Sequence, residues 1–146
     1  EYDCIVLFIA CCQMLSDIKK RDSKTANFAL KELNRGLNAA KKYSIGIDIW
    51  LPLEADKGRL LIEMKRYKEA KTLVKKTREK SIENRCRTVE AMCYRNLALI
   101  AAKNKDTKQS LLFFQDARDI AQELGDMSLL ADVNQGIGML QEHSER

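Results

Sequence analysis

The stretch AMCYRNLALIAAKNKDTKQSLLFFQDARDIAQELG, residues 91–125, decides how the chain folds. In its first half Tyr94, Leu97, Ala98 and Ala101 fall at helical spacing. In its second half Ser110, Phe114, Ala117 and Ala121 follow one another at four, three and four. The KNKDTK between them (103–108) is polar throughout and reads as a turn. Small residues at Ala98 and Ser110 would let two antiparallel helices approach closely, with Leu97 and Phe114 filling the space between successive pairs. This is a pattern for packing helices; it sets no nucleophile beside a base.

The same pattern recurs at a fixed interval. Gly58, Ala98 and Gly138 are 40 residues apart, and so are Ala70 and Ser110. The surrounding text is ADKGRLLIEMKRYKEAKTLV at 55–74 and ADVNQGIGMLQEH at 131–143. On these residues the chain resembles the tetratricopeptide repeat family, whose motif runs bulky, Leu-Gly and Tyr on one helix, then Ala, Phe and Ala on the next. Tyr94, Leu97, Ala98, Phe114 and Ala117 match that motif. The copy from Leu53 to Ser81 keeps Gly58, Tyr67 and Ala70, but has Glu54 at the bulky position, Lys57 at the leucine and Thr77 at the final alanine. A 40-residue interval, against about 34 in the common form, is similar to the longer-helix variants found in kinesin light chains and polarity adaptors. The resemblance implies an all-α, antiparallel helix-pair solenoid of about seven helices wound as a right-handed superhelix.

Length and composition agree. The 146 residues suffice for one elongated domain, 1–146, with repeats at approximately 3–44, 48–82, 85–125 and a partial one at 127–146. One proline and six glycines leave few places for strands or long loops. Beginning at Glu1 and closing on half a repeat at HSER, the chain is expected to be a piece of a longer solenoid, flanked by further repeats of its own.

The opening CIVLFIACCQML (4–15) is the most apolar run. It is shorter than the roughly 20 residues a bilayer span needs, and its basic cluster follows it rather than preceding it. A first helix is expected here, covered on its back by another repeat and sticky without one. KKRDSK (19–24) then reads as a turn, and Ala29, Leu33, Gly36 and Ala40 as the second helix of the first repeat. In SIGID (44–48), Gly46 is expected to stop that helix and Asp48 to cap the next, with Pro52 inside its first turn. Trp50 is expected to pack at the repeat boundary. The second pair runs from Leu53 to Ser81 with its turn at Lys65-Arg66; Ile82–Lys103 and Thr107–Leu124 form the third, Gly125 ends it, and Met127 to about His143 begins the fourth.

Five cysteines, Cys4, Cys11, Cys12, Cys86 and Cys93, include no C-x-x-C pair. They are expected to be buried free thiols of a protein in a reducing compartment, the cytoplasm, and no metal or cofactor is expected. The net charge of +5 conceals a gradient: residues 57–87 hold twelve Lys/Arg against four Asp/Glu, and residues 106–146 hold three against eight. Such a surplus attracts acidic partners, although solvated helix faces also carry lysine. Aromatic and glycine residues do not interleave with the basic ones along the chain as stacking platforms require, which weighs against nucleic acid. The one histidine, His143, adjoins no nucleophile motif, and no phosphate loop, HExxH or G-x-S-x-G occurs. No enzymatic activity is expected.

In the tetratricopeptide family the first helix of each pair lines the concave groove. The resemblance therefore implies a partner-binding set of Ala55, Asp56, Arg59, Ile62 and Glu63, then Met92, Arg95, Asn96, Leu99 and Lys103, extended by Gln135 and Met139. Asn96 would reach a partner's main chain, and Arg59, Arg95 or Lys103 an acidic side chain. The family's carboxylate clamp for chaperone tails is not reproduced, because Asp56 and Met92 stand where a polar amide and a lysine belong. The expected function is a protein-interaction scaffold binding a peptide or helix of a partner, in the setting of cytoskeletal, ciliary or motor assemblies. The alternative is a basic helical surface for nucleic acid or anionic lipid.

Overall fold

The computed structural model describes residues 2–18 and 23–144. Most of the expected KKRDSK turn, and the last two residues of the partial repeat, lie outside the described residues. Among the described residues the structure is all-α and contains no strand. Its elements are α1 (Tyr2–Ile18), α2 (Ser23–Lys42), α3 (Ile47–Glu63), α4 (Tyr67–Glu83), α5 (Arg87–Lys103), α6 (Thr107–Leu124) and α7 (Met127–Ser144).

From α3 onward every helix begins twenty residues after the one before, at 47, 67, 87, 107 and 127. The 40-residue interval is thus two copies of one helix-and-turn module. The same turn ends α2 to α6. The residue after the last helical turn is left-handed, with φ between 52° and 67° at Ser44, Lys65, Arg85, Lys105 and Gly125. The next N–H then reaches back to a carbonyl five residues earlier: Ile45 to Ala40, Arg66 to Leu61, Cys86 to Ser81, Asp106 to Ala101 and Asp126 to Ala121, all at 2.8–3.0 Å. This double closure satisfies carbonyls that a helix end leaves orphaned. Cys86 and Asp106 both close one helix and stand as N-cap of the next, and the Asp106 carboxylate accepts from Gln109 N at 3.1 Å. Asp126 accepts in the same way from Leu129 N.

Several boundaries differ from expectation for this reason. Ser44, not Gly46, takes the left-handed position after α2, while Gly46 is the extended N-cap of α3 in place of Asp48. Helix α3 therefore starts before Leu53, and Pro52 sits beyond its first turn. There it removes the bond to Asp48 O. Ile82 belongs to the end of α4 rather than to α5, because the break falls at residues 84–86.

Contacts divide the chain into two compact units, Glu1–Ala70 and Lys71–Arg146. In the first, α2 packs against both α1 and α3. Its core joins Ile9 of α1, Ala29, Leu33 and Ala40 of α2, and Leu53 and Leu60 of α3, with Trp50 packed partly buried against them. A Cβ on Gly36 would lie 2.8 Å from Leu53 Cδ2 and 3.3 Å from Cys12 Cβ, so the missing side chain lets all three helices meet. Gln13 Nε2 donates to Asp56 Oδ2 at 2.8 Å, tying α1 to α3. Buried Glu32 accepts twice from Arg35 Nη1, whose guanidinium lies 5.3 Å from the Phe8 ring centroid. The outer side of α1 leaves Leu7 65% and Met14 62% exposed. No described helix is long and apolar enough to cross a membrane.

In the second unit α6 packs against α5 and α7, and α5 also touches α7. The core is Ala91 and Ala98 of α5, Phe114, Ala117, Ile120 and Ala121 of α6, and Leu129, Val133 and Ile137 of α7. Ser110 and Ala98 mark the close approach that the spacing predicts: the buried Ser110 Oγ donates to Ala98 O at 2.7 Å. Thr77, in the place of Ala117 one interval earlier, is fully buried, and its hydroxyl donates to Leu73 O of its own helix at 2.9 Å. Gly138 departs from the expected pattern, since nothing lies within 4 Å of where its Cβ would be. The glycine of α7 that admits a neighbour is Gly136, which faces the Phe114 ring.

The thiols are less buried than the seven-residue spacing implies. Cys12 and Cys93 are buried, but Cys4 and Cys11 lie on the exposed side of α1 and Cys86 caps α5. All five are free.

Candidate functional site

On α3 the expected partner-binding residues are largely committed to the protein itself. Ala55 and Ile62 are buried. Asp56 holds Gln13, and Arg59 pairs with the exposed Glu63 at 3.3 Å across one helical turn. Helix α3 buries residues such as Leu51, Leu53, Leu60 and Leu61 around most of its circumference, which leaves little open surface.

The second unit presents an open cleft of about 490 Å³ between α5 and α7. Thr88, Met92 and Arg95 line it from α5, and Ser128, Leu129 and Asp132 from α7, with Asp126 at the turn. Two of the expected residues, Met92 and Arg95, are therefore brought together here. Asn96 is fully buried and accepts from Arg95 Nη2 at 3.3 Å. Leu99 packs partly buried against the core. Lys103 is exposed on the last turn of α5, and Gln135 and Met139 are exposed on α7.

Arg95 Nη1 also donates to Asp132 Oδ2 at 3.0 Å, bridging the two walls of the cleft. The pair fixes one charge of each sign across the cleft and leaves the hydroxyls of Thr88 and Ser128 and the Met92 thioether beside it. Asp132 is not in the projected set, although it stands 40 residues after Met92 and so occupies the same position of the repeat. The interval itself was the signal. Thr88 and Ser128 are another such pair, one residue before Val89 and Leu129, which are buried.

Chemically, the cleft offers hydroxyl donors and acceptors, one ion pair, the Asp126 carboxylate and adaptable apolar surface. Among the described residues no three His, Cys, Asp or Glu side chains converge as a metal site would require. Scans against protein-family models, the curated proteins and the solved structures each return no match.

Proposed function

We propose that the chain is part of a tetratricopeptide-like interaction scaffold, without catalytic activity of its own, whose α5–α7 cleft holds an extended or helical peptide from a partner protein. The observation that carries this reading is the lining of that cleft. Met92 and Leu129 supply apolar contact, while Thr88 and Ser128 can satisfy a peptide's main chain. Because Arg95 already holds Asp132, and the Asp126 carboxylate already accepts from Leu129 N, the charges lining the cleft are engaged within the protein and it suits a peptide recognised by shape and main-chain bonds more than by charge. The forty-residue interval and its likeness to long-helix repeats extend the proposal to cytoskeletal or motor assemblies in a reducing compartment. Five free thiols fit such a setting.

The test is affinity capture with the 146-residue chain, followed by titration of the retained partner's peptides against the wild type and Met92→Arg. Filling the cleft with a long cation should weaken binding by about tenfold or more without changing the helical signal. Undiminished binding by Met92→Arg removes the cleft as the site.

A further inference from the structure

A second groove lies in the same unit, on residues the cleft does not use. It runs between α4 and α6 over the C-terminal half of α5, with a volume of about 260 Å³. Its floor is apolar, formed by Leu97 and Ile100 of α5 with Phe113 of α6 at the side. One wall is cationic, with Lys71, Lys75 and Arg78 spaced four and three residues apart along α4. Among the described residues none of these three cations pairs with a carboxylate, whereas Arg35, Arg59, Arg66, Arg87 and Arg95 all do. Arg78 is held in place without such a partner. Its guanidinium lies 5.9 Å from the Tyr94 ring centroid, and Tyr94 in turn stacks on Phe113 at 6.4 Å. Arg78 Nε is buried with no hydrogen-bond partner.

Three aligned, unneutralised cations beside an apolar trough ask for an occupant with carboxylates along one edge and apolar side chains beside them. We infer that the α4–α6 groove is a docking site for an acidic amphipathic segment of a protein, with its Asp or Glu side chains on Lys71, Lys75 and Arg78 and its apolar side chains on Leu97, Ile100 and Phe113. The opposite wall decides against a polyanion. It carries the Asp106 carboxylate, Asn104 and Gln109, so positive charge lines one side only. A nucleic-acid backbone or an anionic bilayer would meet Asp106 and would leave the aliphatic floor unused. An amphipathic helix or strand uses both sides.

The experiment uses the full chain and a panel of short fluorescein-labelled peptides with Glu on one helical face and Leu and Phe on the other. Control arms are the same peptides with Lys for Glu, a uridine oligoribonucleotide and phosphatidylserine vesicles. The acidic peptides should bind saturably and more weakly as salt rises. Lys71→Glu/Lys75→Glu, at two exposed positions, should raise Kd by about tenfold or more, while Lys71→Arg/Lys75→Arg should retain binding. Met92→Arg should leave it unchanged, which separates this groove from the α5–α7 cleft. The inference is overturned if no acidic peptide binds or if the Lys-bearing peptides bind equally well. Indifference to Lys71→Glu/Lys75→Glu, or tighter binding of RNA or vesicles through the same lysines, overturns it too.

Discussion

The ring of Phe114 in α6 lies against Gly136 in α7, so that a Cβ added to Gly136 would stand 2.5 Å from Phe114 Cζ and 2.7 Å from Cε1. The ring is 1% exposed and sits in a core with Ala98, Ala117 and Val133, so it has little room to retreat. Forty residues earlier the same two positions hold Val74 and Asn96, a smaller residue followed by a larger one.

Gly136→Ala sets a clash against a gain in helix propensity. Overfilling a packed core costs about 1–3 kcal/mol, and replacing a helical glycine recovers about 1 kcal/mol. The expected net is a loss of about 1 kcal/mol. In the background of Phe114→Leu, which removes the ring tip, the same change should become neutral or stabilising. Urea unfolding of the four proteins of this cycle measures the coupling; additive effects would mean that the ring and the glycine do not touch.

The repeated left-handed turn predicts that its non-glycine copies are suboptimal. Lys65, Arg85 and Lys105 are exposed and have positive φ, which glycine adopts without steric cost. Arg85→Gly and Lys105→Gly should each stabilise by about 0.5 kcal/mol, and Gly125→Ala should destabilise by about 1 kcal/mol. The ordering of the three midpoints in a denaturant melt checks this, and a uniform loss on all three changes would refute it.

Thiol reactivity should follow burial rather than sequence spacing. Burial first, and the nearby Glu32 carboxylate second, hold the Cys12 thiol above its usual value of 9.0. Alkylation of the native protein at pH 8 with iodoacetamide should label Cys4 and Cys11 rapidly and leave Cys12 and Cys93 unlabelled until the chain unfolds. Peptide mapping by mass spectrometry distinguishes the sites, and early labelling of Cys12 would contradict the packing of α1 on α2.

Asp116 gives a pH dependence. Partial burial first, and the Asp119 carboxylate one turn on second, raise its pKa above the usual 3.8. The folded state therefore holds this proton more tightly than the unfolded one. The charge works against folding at neutral pH, and its effect fades as pH falls through the folded value, vanishing below 3.8. Asp116→Asn should raise Tm at pH 7 and make no difference at pH 3. An equal difference at both pH values would assign the effect to something other than this proton.

Much of the architecture was legible because packing repeats. The spacing of Ala98, Ser110, Phe114 and Ala117 gave the antiparallel pair, and the forty-residue interval gave its recurrence. The twenty-residue module was harder to see, because its turn depends on one backbone conformation that Ser44, Lys65, Arg85, Lys105 and Gly125 adopt alike. No common side chain marks it. For the same reason α3 starts earlier than the sequence suggests: Gly46 reads as a stop, while the backbone break falls at Ser44. Gly138 was legible by interval but not by surroundings, since the close approach in α7 falls at Gly136 instead. At the cleft, Met92 and Arg95 could be projected from the repeat. The Arg95–Asp132 pair could not, because a side-chain partner across helices is set by rotamers and not by periodicity. The α4–α6 groove likewise joins Lys71, Lys75 and Arg78 to Tyr94 and Phe113, an interleaving of charge and aromatic rings that exists in space and not along the chain.

One helix-and-turn module recurs every twenty residues from α3 to α7. Backbone NMR chemical shifts and HN–Hα couplings of the full chain test it most directly. Helical shifts are expected across α2 to α7, interrupted by residues with positive φ at Ser44, Lys65, Arg85, Lys105 and Gly125. Helix running unbroken through residues 84–86 or 104–106, or negative φ at Arg85 and Lys105, would contradict it.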